Sequence, residues 1–381
     1  MTVSGLATPA VLIDAARTRR NIARLATATA AAGLRLRPHA KTHKSPTIAR
    51  WQMEAGAIGI CCAKLGEAEV FADAGIPDIR IPYPLHPSTA DRLIALASRT
   101  RLSFIVDHVD VARAWSDILH RAGVRIDVLV KIDVGFHRCG IAPAVDTAVP
   151  FIRTVADLPG LRLRGLLSHA GQSYHAASAA HLETMAIEEA ATLQTLADAC
   201  AVNGVVIEEL SAGATPTARF SIGQPGLTEY RAGNFVYFDR TQAGLGACTL
   251  DDCALTVRAR VVSAPSPDRI VLDAGSKTLS SDAARGFIPA AGYGAVLVAN
   301  TGHSGVHMPQ QQHTGLTIER LSEEHAVVRV AAGTPTPSPG ETVRIVPNHA
   351  CVVSNLTDTA WLVEADDTVI PLPIAARGRV T

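Results

Sequence analysis

Residues 34–62 read LRLRPHAKTHKSPTIARWQMEAGAIGICC and contain one full repeat of the pattern that predicts the fold. LRLRPHAK (34–41) is a short strand-like run, SPTIARWQMEAG (45–56) has the composition of a helix ending at a glycine, and AIGICC (57–62) is the next apolar run. Strands that alternate with helices of this length indicate βαβ units, in which the strands lie parallel. The segment therefore predicts an α/β fold.

The same alternation continues through the first 240 or so residues. The further strand-like runs are IRIPYP (79–84), RLSFIVD (101–107), RIDVLVKID (125–133), LRLRGLLSH (161–169), VVIEELSA (205–212) and LTEYRA (227–232). Ala-rich helical stretches separate most of them. With the first two runs the count reaches eight, which is the number that closes a (β/α)8 TIM-type barrel. A doubly wound open sheet is the alternative.

After about residue 240 the helical periodicity fades, and short runs rich in Val and Thr are separated by Gly and Pro. Examples are CALTVRARVVSA (253–264), TGLTIERLS (314–322), HAVVRVAAG (325–333) and ETVRIVPNHA (341–350). Such runs are typical of antiparallel strands. We therefore predict a barrel over residues 16–240 and a second, mainly antiparallel β domain formed by residues 1–15 plus 241–381.

Charge and cysteine content argue against several classes of protein. Lys+Arg and Asp+Glu both number 35 in 381 residues, so the formal net charge is zero. This balance disfavours nucleic acid or an anionic membrane as the main partner. The sequence shows neither a signal-peptide pattern nor an apolar run long enough to span a membrane. Seven scattered cysteines do not suggest a disulfide framework, and adjacent Cys61 and Cys62 fit buried free thiols. A cytoplasmic location fits best.

A basic cluster, RPHAKTHKS (37–45), closes the first predicted strand. Functional side chains collect at the carboxyl ends of barrel strands, so Lys41 is expected to face the barrel mouth. An amine there can form an imine with an aldehyde cofactor once burial or cationic neighbours lower its pKa. Taken alone, the cluster fits a solvated basic loop equally well.

Two segments rich in small residues follow the last two predicted strands, SAGATPT (211–217) and YRAGN (230–234). Small residues let backbone N–H groups approach an anion, and Thr or Ser adds a hydroxyl donor. A phosphate site formed by the loops after strands seven and eight is a recurrent barrel feature. The two positions together therefore predict phosphate binding, although each segment alone could be an ordinary turn.

PNHACVV (347–353) lies in the predicted β domain. If the segment is extended, His349 and Cys351 point to the same side, because alternate side chains of a strand share a face. An imidazole and a thiolate suit Zn²⁺, and two protein ligands leave positions for water or substrate, as at a catalytic metal. Without context, a strand with a buried cysteine and a turn histidine is the simpler explanation.

Taken together, these segments resemble the fold-type III pyridoxal-phosphate (PLP) enzymes, the alanine-racemase-like barrels, and the resemblance covers almost the whole chain. It is closest to the D-serine dehydratase/D-threonine aldolase branch and extends to KIDVGFHRCG (131–140), LLSHAGQSY (166–174) and DAGSKTLSSD (273–282). The resemblance implies PLP bound to Lys41 as a Schiff base. The other implied contacts are Arg138 with the cofactor phenolate oxygen, His169 and Tyr174 near the pyridine ring, Arg231 near the pyridine nitrogen, and Gly213, Thr215, Gly233 and Asn234 around the phosphate.

The resemblance also implies a divalent metal at His349 and Cys351. Dehydratase-like members carry this His-x-Cys pair and use zinc, whereas aldolase-like members more often have an acid in place of the cysteine and prefer Mn²⁺ or Mg²⁺. The favoured reaction is therefore dehydration of a D-3-hydroxy amino acid, such as D-serine, D-threonine or D-3-hydroxyaspartate, to a 2-keto acid and ammonia. Retro-aldol cleavage to glycine and an aldehyde is the alternative, while racemisation and non-catalytic PLP binding are less favoured.

The resemblance further implies a homodimer in which the partner's β domain completes each active site. The sequence leaves other residues open. Arg219 and Arg285 are equal candidates for binding a substrate carboxylate. His303, His307 and His313 fall on a predicted loop, where solvated side chains are a better explanation than substrate ligands.

Overall fold

We describe residues 1–297 and 309–381 of the chain in a computed structural model. The first strand, β1 (Ala10–Asp14), leads directly into helix α1 (Ala15–Ala31). Asp14 caps this helix, because its side chain accepts a hydrogen bond from the backbone N–H of Arg17 at 2.8 Å. β1 pairs with strands from the last third of the chain rather than with the barrel. The chain therefore enters the barrel through α1.

Eight strands form the barrel: β2 (Arg35–Leu36), β3 (Ile60–Cys61), β4 (Asp78–Pro84), β5 (Arg101–Val106), β6 (Ile126–Lys131), β7 (Leu161–Leu167), β8 (Glu209–Ala212) and β9 (Glu229–Tyr230). They pair in parallel in the order β2-β9-β8-β7-β6-β5-β4-β3. The two ends of this order also meet, since Ile58 N donates to Leu36 O at 2.9 Å and Cys61 N to Pro38 O at 2.8 Å. The predicted closed barrel is confirmed, and the doubly wound sheet is excluded.

Helices follow most barrel strands. They are α2 (Pro46–Glu54), α3 (Leu65–Asp73), α4 (Ala90–Ala97), α5 (Val109–Arg121), α6 (Val145–Ala156), α7 (Ala179–Val202), α8 (Ala218–Ser221) and α9 (Arg240–Gly244). Pro46 stands in the first turn of α2, where its missing N–H removes no helical hydrogen bond. Buried Leu182, Leu193 and Leu196 give α7 its inward face.

The second sheet contains β1 together with β10 (Leu255–Ser266), β11 (Arg269–Leu272), β12 (Ala295–Val296), β13 (Leu316–Leu321), β14 (Ala326–Val330), β15 (Thr342–Val346), β16 (Thr359–Val363) and β17 (Val369–Pro373). Helix α10 (Ser276–Leu279) lies between β11 and β12. The described strands of this sheet pair antiparallel, except for the parallel pair β1–β16. The prediction of a mainly antiparallel second sheet is confirmed.

The segment 347–353 is not a strand. β15 ends at Val346, and Pro347 has no N–H to continue the ladder. His349 is instead the N-cap of a helix, α11 (Ala350–Leu356), which contains Cys351. The prediction that an extended segment places His349 and Cys351 on one face is therefore wrong.

A layer of charged side chains fills the barrel interior. Arg37, Arg80, Glu209 and Glu229 are each no more than 4% exposed. Glu229 accepts hydrogen bonds from Arg37 Nε at 2.8 Å and from Arg80, whose Nη2 donates to Glu209 at 2.7 Å. Burial would raise the pKa of Glu229, but the two guanidinium groups outweigh it and lower the pKa to about 2. The four charges are thus paired beneath the strand ends.

All seven cysteines are free thiols, and Cys61 and Cys62 are buried as expected. Among the residues described, no helix combines the length and the apolar composition needed to cross a bilayer.

Candidate active site

One cavity of about 370 Å³ at the carboxyl ends of the barrel strands brings the predicted site residues together. The predicted residues that line it are Lys41, Arg138, His169, Tyr174, Gly213, Thr215, Arg231, Gly233, Asn234, His349 and Cys351. His39, Lys131, Phe136 and Arg285 also contribute to its wall. The cavity therefore lies where the barrel loops meet the turn before α11, although the individual roles of these residues stay predictions.

Lys41 lies in a 3-10 turn, Ala40–Thr42, just beyond the end of β2. Desolvation in the cavity lowers its pKa, and the positive charges of Arg138 and Arg231 lower it further, against the opposing effect of Cys351. A lysine amine with a lowered pKa is more often deprotonated at neutral pH, which is what imine formation with an aldehyde requires. The position and the pKa of Lys41 thus suit the role that the resemblance implies.

Two other lysines lie near Lys41. Lys44 does not line the cavity, because its Nζ lies 3.2 Å from Glu67 Oε1 and 3.4 Å from Ala376 O. Lys131 at the end of β6 does line it, and burial and the charge of Arg231 lower its pKa to about 7. Sequence reasoning missed Lys131, although it opens the quoted segment KIDVGFHRCG. It is the second amine of the site.

Gly213, Thr215 and Gly233 form what we call the phosphate cradle. A Cβ on Gly213 would lie 2.6 Å from Arg231 N and would force a backbone shift, and one on Gly233 would lie in tight contact, 3.0 Å from His39 Cβ. Thr215 Oγ1 is buried and has no hydrogen-bond partner in the described part of the chain. Bare backbone amides beside a buried, unsatisfied hydroxyl fit an anionic group such as a phosphate.

The side chain of Asn234 is engaged with other protein groups, while its predicted phosphate contact stays a prediction. Its Nδ2 donates to Asp239 Oδ2 at 2.7 Å and lies 3.5 Å from Cys351 Sγ. Asp239 Oδ2 also accepts a hydrogen bond from Ala350 N at 3.0 Å. Asp239, which sequence reasoning missed, therefore joins the loop after β9 to the first turn of α11. Only the backbone of Asn234 remains for a phosphate.

His169 and Arg231 form the polar side of the cavity wall. His169 Nδ1 donates to Gly213 O at 2.8 Å, and burial together with the charge of Lys41 lowers its pKa, so the ring is neutral. Arg231 is held by its own bonds, since its Nε donates to Ser211 Oγ at 2.6 Å. A fixed neutral imidazole can lie flat against an aromatic cofactor ring.

Arg138 and Tyr174 also line the cavity. The guanidinium carbon of Arg138 lies 5.2 Å from the centroid of the Phe136 ring, within cation–π range. Tyr174 is half-buried, and burial raises the pKa of its phenol, which therefore stays protonated.

His349 and Cys351 meet although they do not lie on a strand. Burial would raise the pKa of Cys351, but its hydrogen bond with His349 and the positive charge of that ring lower it, which favours the thiolate. Asp282 Oδ2 lies 2.6 Å from His349 Nδ1, so the hydrogen bond with Cys351 uses Nε2, and a metal ion held by the two side chains would replace the proton of that bond. A thiolate and a carboxylate-oriented imidazole fit zinc. In residues 1–297 and 309–381 no cluster of three or more such ligands exists, so the described residues offer His349 and Cys351 as a pair.

The structure also shows which of the arginine and histidine candidates without an assigned role line the cavity. Arg285 lines the cavity, whereas Arg219 lines a separate, smaller pocket. His313 does not line the cavity, and His303 and His307 lie outside the described residues. Of the two arginine candidates for carboxylate binding, only Arg285 is in the right place.

Two family models match consecutive parts of the chain. The model described as "Alanine racemase, N-terminal domain" matches residues 13–241, and the model described as "Putative serine dehydratase domain" matches residues 254–363. The first match alone covers more than half of the chain. The chain therefore belongs to the alanine-racemase-like, fold-type III PLP family.

Comparison with individual relatives shows which members of that family the chain is similar to. D-threo-3-hydroxyaspartate dehydratase of Delftia sp. (strain HT23) is 35% identical, with 97% of each chain covered. D-threonine aldolase of Arthrobacter sp is 32% identical, with 97% of this chain and 93% of the relative covered. A solved structure of a D-threo-3-hydroxyaspartate dehydratase, a cysteine-to-alanine mutant in the metal-free form, matches with a TM-score of 0.90, 32% identity and 98% coverage of both chains. The chain is therefore similar to both dehydratases and aldolases.

Proposed function

We propose that this chain is a PLP- and metal-dependent lyase that converts a D-3-hydroxy amino acid into a 2-keto acid and ammonia. The observation that carries the proposal is a single cavity lined by Lys41, the phosphate cradle and the His349–Cys351 pair. An amine with a lowered pKa, an anion site and a two-ligand metal site are the three parts that the reaction requires.

Each group of the cofactor side has a residue that would hold it. PLP supplies an aldehyde for attachment and, once bound, an electron sink for negative charge at the substrate α-carbon. The phosphate cradle would hold the phosphate, and neutral His169 would support the ring. Lys41 would carry the cofactor and, once released by the substrate amine, would take the α-proton. Its lowered pKa raises the fraction of the amine that is free to act as a base.

The metal side acts on the other end of the bond that breaks. A divalent cation held by His349 and Cys351 supplies Lewis acidity toward the β-hydroxyl, which is otherwise a poor leaving group. Asp282 fixes the orientation of the imidazole, and Thr42 Oγ1 lies 3.2 Å from Cys351 Sγ, where it can donate to the thiolate. We propose zinc, because imidazole and thiolate ligands select it over Mn²⁺ or Mg²⁺.

Aldol cleavage is the second candidate function, and the 32% identity to a D-threonine aldolase supports it. In that reaction the hydroxyl loses its proton and the Cα–Cβ bond breaks, giving glycine and an aldehyde. The same residues would hold both cofactors. Cys351 favours dehydration, because the resemblance associates a cysteine at this position with the dehydratase members.

We also propose a homodimer in the cytoplasm. The seven free cysteines fit a reducing compartment. The homodimer follows from the resemblance, and light scattering on the purified protein would measure it. A monomer under assay conditions would contradict this part of the proposal.

A product assay tests the proposed reaction. The protein is incubated with D-serine, D-threonine and D-3-hydroxyaspartate, with and without Zn²⁺, and 2-keto acid is measured against glycine plus aldehyde. Keto acid is expected, and a chelator should stop its formation while PLP stays bound. Glycine and aldehyde would instead establish the aldolase, and a reaction unaffected by the chelator would remove the metal from the mechanism.

Absorption spectra test the cofactor assignment separately. Lys41→Ala should lose the absorption band of covalently attached PLP, whereas Lys131→Met, which removes the second amine of the cavity, should keep it. A band retained in Lys41→Ala would transfer the attachment to another lysine. Protein that is colourless and takes up no PLP would contradict the whole proposal.

A further inference from the structure

The loop that carries Arg285 is fixed firmly against helix α9. Arg285 N donates to Thr241 Oγ1 at 3.3 Å, and Ile288 N donates to Gly244 O at 3.0 Å. Gly286 has a φ of +119°, and a Cβ there would lie 2.3 Å from the backbone of Gly244. The backbone on both sides of Arg285 is thus positioned by close contacts, which fix the position from which the Arg285 side chain extends.

The same loop also positions one ligand of the metal pair. Asp282 Oδ2 lies 2.6 Å from His349 Nδ1, and Asp282 O accepts a hydrogen bond from Asn348 Nδ2 at 3.0 Å. Only two residues separate Asp282 from Arg285, and Arg285 lines the same cavity as His349 and Cys351. A group bound by Arg285 would therefore lie on the metal side of the cavity.

The cavity wall contains several positive charges, and no negatively charged group is assigned to Arg285. The wall contains Lys41, Lys131, Arg138, Arg231 and Arg285, and no Asp or Glu is present among its described residues. Arg231 donates to protein oxygens, and the resemblance assigns Arg138 to the cofactor. The Arg285 guanidinium makes no hydrogen bond or ion pair with any described residue. Within residues 1–297 and 309–381, a permanently charged group with five donors is thus open to a ligand.

We propose that Arg285 binds a second carboxylate carried on the β-carbon of the substrate, so that the preferred substrate is a D-3-hydroxy dicarboxylate such as D-3-hydroxyaspartate. This inference rests on the proposed function, which places the β-hydroxyl at the cation held by His349 and Cys351. The other β-substituent then faces the same wall. Guanidinium binds carboxylate through two parallel hydrogen bonds, whereas the hydrogen of D-serine or the methyl of D-threonine would leave it unpaired.

Arg285→Met keeps the length and removes the charge, and the ratio of kcat/KM for D-3-hydroxyaspartate over D-serine measures the effect. The wild type should prefer the dicarboxylate, and the variant should lower the ratio about 10- to 100-fold, the range expected for one charge-assisted contact. Arg219→Met is the matched control, because Arg219 lies in a different pocket, and it should leave the ratio unchanged.

A binding measurement on the PLP-loaded protein separates this inference from the reaction itself. D-aspartate and D-alanine lack the β-hydroxyl and differ in the second carboxylate, and the absorbance of bound PLP reports their dissociation constants. Arg285→Met should raise the dissociation constant for D-aspartate at least about tenfold more than that for D-alanine. If no substrate yields product but this selectivity is observed, the proposed function fails and the role of Arg285 stands.

Three results would overturn the inference. If Arg285→Met lowers kcat/KM equally for both substrates and lowers the affinity equally for both ligands, Arg285 binds the α-carboxylate or only supports its loop. An unchanged ratio in Arg285→Met would mean that the side chain does not reach the substrate. A wild-type preference for D-serine would show that the wall does not select a dicarboxylate.

Discussion

A methyl group added at Gly213 tests the phosphate cradle directly. In Gly213→Ala the new Cβ would lie 2.6 Å from Arg231 N, which is 0.8 Å less than the 3.4 Å at which ordinary contact begins. Arg231 N already donates to Ala212 O at 2.9 Å, and Gly213 O accepts from His169 Nδ1 at 2.8 Å. Neither strand end can retreat without losing a hydrogen bond, so the loop itself must shift.

Overfilling a closely packed position by one methyl group costs about 1–3 kcal/mol. If this cost falls on the bound form, the dissociation constant for PLP rises about 5- to 150-fold, since 1.4 kcal/mol corresponds to a factor of ten. Titration of cofactor-free protein with PLP, followed by absorbance, gives the constant. The same titration with pyridoxal, which has no phosphate, should show a much smaller change.

Gly223→Ala is the matched control, because a Cβ at Gly223 has no atom within 4 Å. It should bind PLP like the wild type. A folded Gly213→Ala protein with unchanged PLP affinity would refute the cradle, and equal weakening of PLP and pyridoxal would show that the loop does not recognise phosphate.

Two further predictions concern stability and metal binding. Glu229→Gln should lower the free energy of unfolding by roughly 3 kcal/mol, because the carboxyl pKa falls from its ordinary 4.5 to about 2 in the folded chain and each pKa unit corresponds to about 1.4 kcal/mol. Since the folded pKa is the lower one, the stabilisation is complete above about pH 4.5 and fades as the pH falls toward 2. The urea denaturation curves of variant and wild type should therefore converge over that range. Glu319→Gln, at a half-exposed ion pair, is the control and should change the free energy of unfolding by less than about 1 kcal/mol. Asp282→Asn should weaken zinc binding about 10- to 100-fold in equilibrium dialysis, because it removes the carboxylate that orients His349. Exposed Asp268→Asn is its control, and equal zinc affinity in both variants would contradict the orienting role.

The barrel was predictable because its information is local. Each strand run, such as RIDVLVKID, and each glycine of the phosphate cradle has a recognisable pattern within a few residues. The strand assignment of 347–353 failed for an equally local reason. A short apolar run after Pro347 fits a strand or a helix by periodicity alone, and the chain forms the helix, whose first turn donates from Ala350 N to distant Asp239.

The supporting residues of the site were not predictable from one sequence. Asp239 meets Ala350 across 111 positions, and Asp282 meets His349 across 67. No local pattern marks an isolated acid as the partner of a distant helix or ring. The same limit left Arg219 and Arg285 equivalent until the structure placed only Arg285 in the cavity.

The hydrogen bonds of Asp239 to Asn234 and to the first turn of α11 have a consequence for building chimeras from members of this family. A crossover between residues 241 and 254, the gap between the two family matches, interrupts neither matched part of the chain. It would nevertheless combine the loop after β9 from one parent with the turn that carries His349 and Cys351 from another. Exchanging the stretch around Asp239 together with α11 would preserve the hydrogen bonds that join the two walls of the cavity.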